Sequence, residues 1–131
     1  MNAKIIRGIL ILLGILALAI AIVEIRRTGR RIAVRATKER LNAIDVALSA
    51  YHAEYRAYPT GAAAVILGSL EGSNPKGIVF LPKGRGRDDP WRKPFFLKKG
   101  ASATSRPEYY SSGPDGIDEG LAPGSDDIEI P

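Results

Sequence analysis

Six carboxylates and no base occupy the segment 114–131: Asp115, Asp118, Glu119, Asp126, Asp127 and Glu129. The chain as a whole carries a formal net charge of +5, so this concentration of negative charge runs against its composition. Gly116, Gly120 and Gly124, with Pro114 and Pro123, interrupt the segment, and neither a helix nor a strand is expected. Hard oxygen donors on a backbone free to turn its carbonyls inward are what a calcium ion requires, since it takes six to eight oxygens at about 2.3–2.6 Å. A solvated acidic tail is the competing reading. The spacing is not that of the twelve-residue helix–loop–helix calcium motif.

Other chemistry finds less support. The chain has no cysteine, which excludes disulfides, thiolate zinc sites and cysteine nucleophiles. His52 is the only histidine; it falls off the apolar stripe of its helix and reads as a surface residue. Ser111 and Ser112 have no base placed beside them by any motif. The acid pairs Asp88-Asp89 and Asp126-Asp127 lie in loops, and general acid–base work needs a formed cleft. No catalytic residue, small-molecule substrate or organic cofactor is expected, and the chain reads as non-enzymatic. Trp91 reads as a core or loop anchor. Gly84-Arg85-Gly86-Arg87 reads as a mobile basic loop, with contact to an acidic surface on a neighbouring subunit as the alternative.

The elements that must position the acidic segment follow from periodicity. Gly8 through Val23 contains no charged or strongly polar side chain. As helix it would span roughly 24 Å, close to a bilayer core once Ile5, Ile6 and Ile25 are added. A membrane-spanning anchor is preferred over a cleaved secretory signal, for which no small-x-small cleavage site is followed by a mature-looking start. It is also preferred over a buried core helix, which so short a chain could not cover. Arg26, Arg27, Arg30, Arg31, Arg35, Lys38 and Arg40 follow directly. They read first as contacts to anionic lipid head groups; no aromatic is interleaved to stack on nucleic-acid bases. Val34, Leu41, Ile44, Leu48, Tyr51 and Tyr55 recur at helical steps. The membrane and amphipathic segments can therefore form one helix of about 50 residues, with Gly29 as a candidate bend and Pro59 ending it. A short helix over 62–70, a turn-rich stretch over 71–77 and two strands follow. The strands are Pro94–Lys98 and Glu108–Ser111, with a hairpin connection expected from Lys99-Gly100-Ala101-Ser102 and nearby Ser105-Arg106-Pro107. Phe80, Trp91, Phe95 and Tyr109 should pack with the helix stripe. The expected fold is α+β, divided as 1–25 (transmembrane), 26–58 (amphipathic continuation) and 59–131 (small globular domain).

Four stretches in order carry a resemblance. They are Leu12-Leu13-Gly14-Ile15-Leu16-Ala17; Tyr51 to Thr60, closing on Tyr58-Pro59-Thr60; Leu81-Pro82-Lys83 with Asp89-Pro90-Trp91-Arg92-Lys93-Pro94-Phe95; and Tyr110-Ser111-Ser112-Gly113-Pro114-Asp115-Gly116 with Asp127-Ile128. Together they resemble the major pseudopilin of type II secretion systems, the general secretion pathway protein G family. The resemblance implies a pilin-like fold, in which a long N-terminal helix, half in the membrane and half amphipathic, is packed by a small antiparallel sheet and closed by a C-terminal calcium-type loop. It implies a single-pass inner-membrane subunit with its globular domain in the periplasm. Its partners would be other pseudopilin subunits in a homo-oligomeric filament, together with inner-membrane secretion components, and the filament would help export folded proteins. It also implies calcium ligands at Asp115 and at Asp127 or Asp126, with Asp118 a further candidate and Ser112 a candidate for a backbone-carbonyl contact. No nucleic-acid partner is implied; a pilin-like role in DNA uptake is suggested only by the bases.

Two features depart from the family pattern. The family begins with a short basic leader, a glycine, a phenylalanine and a glutamate four residues on. Here Arg7-Gly8-Ile9 imitates the peptidase site, but Leu13 takes the glutamate position. Aligning on Gly14 and Tyr58 instead puts the mature start near Met1, so the leader reads as degenerate or missing. The excess of bases after the apolar run would also hold the C-terminal part in the cytoplasm by the positive-inside rule, against the periplasm the family implies. The alternative reading is a membrane-anchored, calcium-stabilised pilin-like binding module that does not polymerise.

Overall fold

Leu, Ile and Ala dominate residues 8–23. They lose little side-chain freedom in a helix or pack well along one, and no proline appears before Pro59. In the computed structural model, which describes residues 2–98 and 102–131, helix α1 runs from Ala3 to Tyr55, 53 residues. The chain divides into two compact units, Met1–Ile32 and Ala33–Pro131.

In the first unit the apolar side chains face outward. Leu12 is 72% exposed and Ile25 71%, and the apolar window of the helix buries none of its residues. A helix satisfies its own backbone polar groups, which is the condition for crossing hydrocarbon. This helix is long and apolar enough to cross a membrane.

The second unit holds the core. Leu41, Ile44, Ala47 and Leu48 form the buried stripe of α1, and the expected Val34 and Tyr51 lie half-buried at its edge. Thr37, which periodicity of apolar residues does not pick out, is wholly buried. Its hydroxyl donates to the Ala33 carbonyl at 2.9 Å, so this buried polar group is satisfied. Helix α2 (Ala63–Leu70) contributes Ile66, Leu67 and Leu70. Strands β1 (Phe96–Leu97) and β2 (Tyr109–Tyr110) pair antiparallel, Phe96 opposite Tyr110 and Leu97 opposite Tyr109. The ladder is shorter than the runs that suggested it; residues 99–101 of the expected connection lie outside the described residues, and beyond them Ser102 bridges Ser105. Phe95 and Tyr109 join the buried cluster, while Phe80 and Trp91 pack against it half-buried. A long N-terminal apolar helix with a small antiparallel sheet is the α+β, pilin-like arrangement expected.

Three expectations need correction. Pro59 does not end α1: Arg56 takes a left-handed backbone, φ 57°, and its N–H still bonds to the His52 carbonyl at 2.8 Å. The helix therefore closes on a left-handed residue before proline can act. The turned-back chain brings Tyr58 onto His52, with ring centroids 4.4 Å apart and planes 25° from parallel; His52 is half-buried rather than a free surface residue. The basic loop over 84–87 is anchored. The Gly84 N–H and the Arg87 guanidinium donate to the buried Glu71 carboxylate at 2.8 and 3.1 Å. A Cβ on Gly86 would come within 2.7 Å of Leu81 Cδ2, so the loop backbone lies directly on the core. Burial pushes the Glu71 carboxyl up, but these two donors outweigh it and hold it below its ordinary value.

The turn-rich stretch after α2 is organised by Asn74. Its amide donates to the Ser69 and Ile78 carbonyls at 2.8 and 2.7 Å. Its oxygen accepts from the Ile78 N–H at 3.0 Å and from the Tyr55 hydroxyl at 2.7 Å.

Candidate functional site

The acidic segment is closed by pairing, not by side-chain attraction. Ser111, just past β2, bridges Ile128 in both directions: the Ser111 N–H donates to the Ile128 carbonyl at 2.9 Å, and the Ile128 N–H returns the bond at 2.8 Å. Residues 112–127 are therefore a loop pinned at its base. The base is tied in turn to the Asp-Pro-Trp turn. Asp89 is 2% exposed. One of its carboxylate oxygens accepts from the Trp91 and Lys93 N–H groups, each at 2.9 Å. The other accepts from the Ser111 hydroxyl at 2.6 Å, whose oxygen accepts from the Gly113 N–H at 3.1 Å. A buried carboxylate is tolerated when its lone pairs are filled this way. Sequence reasoning left Asp89 as one member of a loop pair; only its place in the Asp-Pro-Trp motif marked it.

Inside the loop, Gly113 makes the closest approach. It has φ +68°, and a Cβ there would sit 2.1 Å from the Asp126 carbonyl oxygen. Only glycine lets the two arms of the loop meet at this point. Beyond it the acids converge unevenly. Asp115, Glu119 and Asp126 each place a carboxylate oxygen within 4.8 Å of the others. Two oxygens on opposite sides of one calcium ion lie about 5 Å apart, so this spread is compatible with a shared cation. The Asp115 N–H donates to Asp126 Oδ2 at 3.3 Å, and Asp115 Oδ1 accepts from the Ile117 N–H at 2.8 Å.

The other expected residues stand outside that trio. Asp118 Oδ1 accepts from the Tyr110 hydroxyl at 2.9 Å and from the Gly120 N–H at 3.0 Å. Asp127 Oδ2 accepts from the Leu121 N–H at 2.8 Å, while its Oδ1 is buried without a hydrogen-bond donor, as is Ser112 Oγ. A buried carboxylate oxygen in that condition is the kind of group a cation relieves, and the donor set fits calcium. Glu119 was one of the six acids legible in the sequence, but no motif singled it out. Tyr110 senses the acids: burial, then its bond to Asp118 and the charges of Asp118 and Asp127, push its phenol up to about 12.

The globular unit, with the Asp-Pro-Trp turn and the closing loop, occupies one continuous stretch of chain, and the comparison with known families covers nearly all of that stretch. The model of the family described as Type II secretion system (T2SS), protein G, matches residues 25–129 of the 131. Neither a curated protein nor a solved structure matches. With most of its length matched by that one model, the chain belongs to the protein G family of the type II secretion system, the major pseudopilins.

Proposed function

We propose that this pseudopilin is a structural subunit that assembles with its own copies into a periplasmic filament, aiding export of folded proteins through the type II system. The observation that carries the reading is the first unit of the chain. It is a helix whose large apolar side chains are exposed along its length, Ile5 to Ile25, in a protein whose core lies elsewhere, at 41–128. Such a surface needs a covering, and lipid and the helices of neighbouring subunits supply it in turn. The globular unit would then present no chemistry of its own, only a rigid outer surface.

In this reading calcium is held by the closing loop, through the carboxylates of Asp115, Glu119 and Asp126 and the unfilled oxygen of Asp127. Asp118 is in reserve, and Ser112 offers a backbone carbonyl. The ion would neutralise mutually repelling acids and fix residues 112–127 over β2.

The chain's lack of cysteine makes the assembly test clean. Single cysteines placed at Leu12 and Ile20 in otherwise native protein should form subunit-to-subunit crosslinks in membranes when the secretion system is expressed. Monomer alone at every position, with the protein shown to be present and folded, would leave an anchored module in place of a filament subunit. For the loop, the full chain in detergent should melt at a higher temperature with excess calcium than with chelator, followed by the emission of Trp91. Identical melting in both would remove calcium from the reading.

A further inference from the structure

We propose that Arg26, Arg27, Arg30 and Arg31 form a docking surface for the phosphate head groups of anionic phospholipids, at the end of the apolar segment of α1. At about 100° per residue and 1.5 Å rise, positions 26, 27, 30 and 31 fall within an arc of roughly 140° and about 7.5 Å of helix axis. All four side chains are exposed. They begin at the residue after Ile25, the last large apolar side chain of the exposed run and itself 71% exposed. If residues 5–25 lie in hydrocarbon, the four guanidinium groups fall at head-group depth.

The chemistry suits phosphate. A guanidinium is always charged and presents a planar fork of donors that meets phosphate oxygens two at a time. Glu24 is the only acid among residues 1–32, and it meets Arg27 at 3.3 Å with both side chains more than half exposed. An exposed pair of that kind contributes little and gives way readily to a phosphate. Within residues 1–8 the bases are Lys4 and Arg7. Clusters of about four to eight bases recognise anionic lipid on the cytoplasmic side of membrane helices, and the same guanidinium–phosphate chemistry is available here on the outer side of the span in the proposed topology. Nucleic acid is a poor fit, because no aromatic occurs before Tyr51 and no base could stack. The consequence for the subunit is retention: a head-group shell on this face resists withdrawal of the helix from the bilayer and must be shed when the subunit leaves the lipid.

The test uses the full chain in nanodiscs of mixed phosphatidylglycerol and phosphatidylcholine, with the lipids that stay bound counted by native mass spectrometry. The wild type should retain phosphatidylglycerol over phosphatidylcholine by at least about tenfold relative to the bulk ratio, as expected when several bases act together. The variant R26Q/R27Q/R30Q/R31Q should retain the two lipids near the bulk ratio. The variant R26K/R27K/R30K/R31K should keep most of the preference, and K4Q/R7Q should keep nearly all of it. Unchanged emission of Trp91 in each variant reports that the globular unit is intact. Added inorganic phosphate at constant ionic strength should compete poorly, since a free ion lacks the bilayer's charge density. Equal preference in the wild type and the glutamine variant would overturn the proposal. So would loss of preference in the lysine variant, or lipid-independent crosslinking of this face to residues 115–129 of a second copy.

Discussion

Replacing Ser111 by alanine should be among the most damaging single-atom changes available to the globular unit. The Ser111 hydroxyl is fully buried and holds two partners: it donates to Asp89 at 2.6 Å and accepts from the Gly113 N–H at 3.1 Å. Removing it leaves a carboxylate oxygen and an amide without partners where water has no access. A buried hydrogen bond to a charged group contributes about 1.5–3 kcal/mol, and an orphaned buried amide costs about 1–3 kcal/mol. The two losses share one site, so their sum is roughly 3–4 kcal/mol, a large part of the stability of a small domain. At about 4–8 °C per kcal/mol for a unit of this size, the midpoint of thermal unfolding should fall by at least about 12 °C. Trp91 is the only tryptophan; its backbone N–H bonds to Asp89, and its side chain packs half-buried on the core. Its emission in detergent reports on this unit without interference from the long helix. The neighbouring substitution Ser112→Ala is the control. It removes an equally buried hydroxyl that has no hydrogen-bond partner, and in chelator it should shift the midpoint by only a few degrees. Because Asp89 and Ser111 are in contact, the double variant D89N/S111A should lose less than the sum of the singles. A fall of under 4 °C for S111A, or equal effects at 111 and 112, would refute the argument that Asp89 and Ser111 hold the base of the loop.

Three further outcomes follow from the same structure. Gly113→Ala should prevent closure of the loop, since its Cβ would meet the Asp126 carbonyl oxygen at 2.1 Å and its φ of +68° disfavours any side chain; protease cleavage within 112–127 should appear at temperatures where the wild type resists. Glu71→Gln should destabilise by about 1–2 kcal/mol at neutral pH, the value being modest because Arg87 is largely exposed. The Glu71 carboxyl is held below its ordinary 4.5, so its contribution is complete above that value and disappears as pH falls through the lower folded value; chemical denaturation at several pH values should show the gap between wild type and variant narrowing only in acid. For Tyr110, raised from 10.0 to about 12, the sign reverses: its contribution is complete below pH 10 and is lost as pH rises toward 12, so Tyr110→Phe should show a shallower alkaline loss of stability, with the remaining slope coming from Tyr51, Tyr109, Lys76 and Lys98, which the fold also raises.

What the sequence made legible depended on whether the information was local. The helix stripe at Leu41, Ile44 and Leu48 is written in a 3.6-residue period, and all three are buried. Helix α2 and both strands were found for the same reason, although the pairing stops at two residues per strand. Contacts between distant segments left no such trace. Glu71 meets Gly84 and Arg87 across 13 and 16 residues, and Ser111 meets Asp89 across 22. Periodicity cannot report such pairs, and a Gly-Arg-Gly-Arg run looks mobile until its buried carboxylate partner is known. His52 was misplaced because the left-handed turn at Arg56, which folds Tyr58 back on it, is made by a residue type that rarely adopts that backbone. In the acidic loop, composition showed a cluster and the resemblance suggested ligands. The grouping of Glu119 with Asp115 and Asp126 came from backbone turns that no spacing rule encodes.

The order in which the loop is held has a consequence for the role of a cation. Its two ends meet through the Ser111–Ile128 pair of backbone bonds, and that pair is fixed to the rest of the unit by Asp89. Much of the cost of closing a loop lies in bringing its ends together, and here protein groups meet it before any ion binds. Within the loop, backbone N–H groups already serve one oxygen each of Asp115, Asp118 and Asp127. The charge left over is concentrated between the two arms, where three carboxylates share a space of 4.8 Å. An ion bound there would relieve repulsion and order the loop, but it would not create the fold. Chelation should therefore loosen residues 113–126 while the Asp89–Ser111 anchor and the core stay intact. Removing the Ser111 hydroxyl should unfold both together. A cation-free protein that lost its core packing as readily as S111A would reverse that hierarchy, making the ion rather than the buried carboxylate the keystone of the domain.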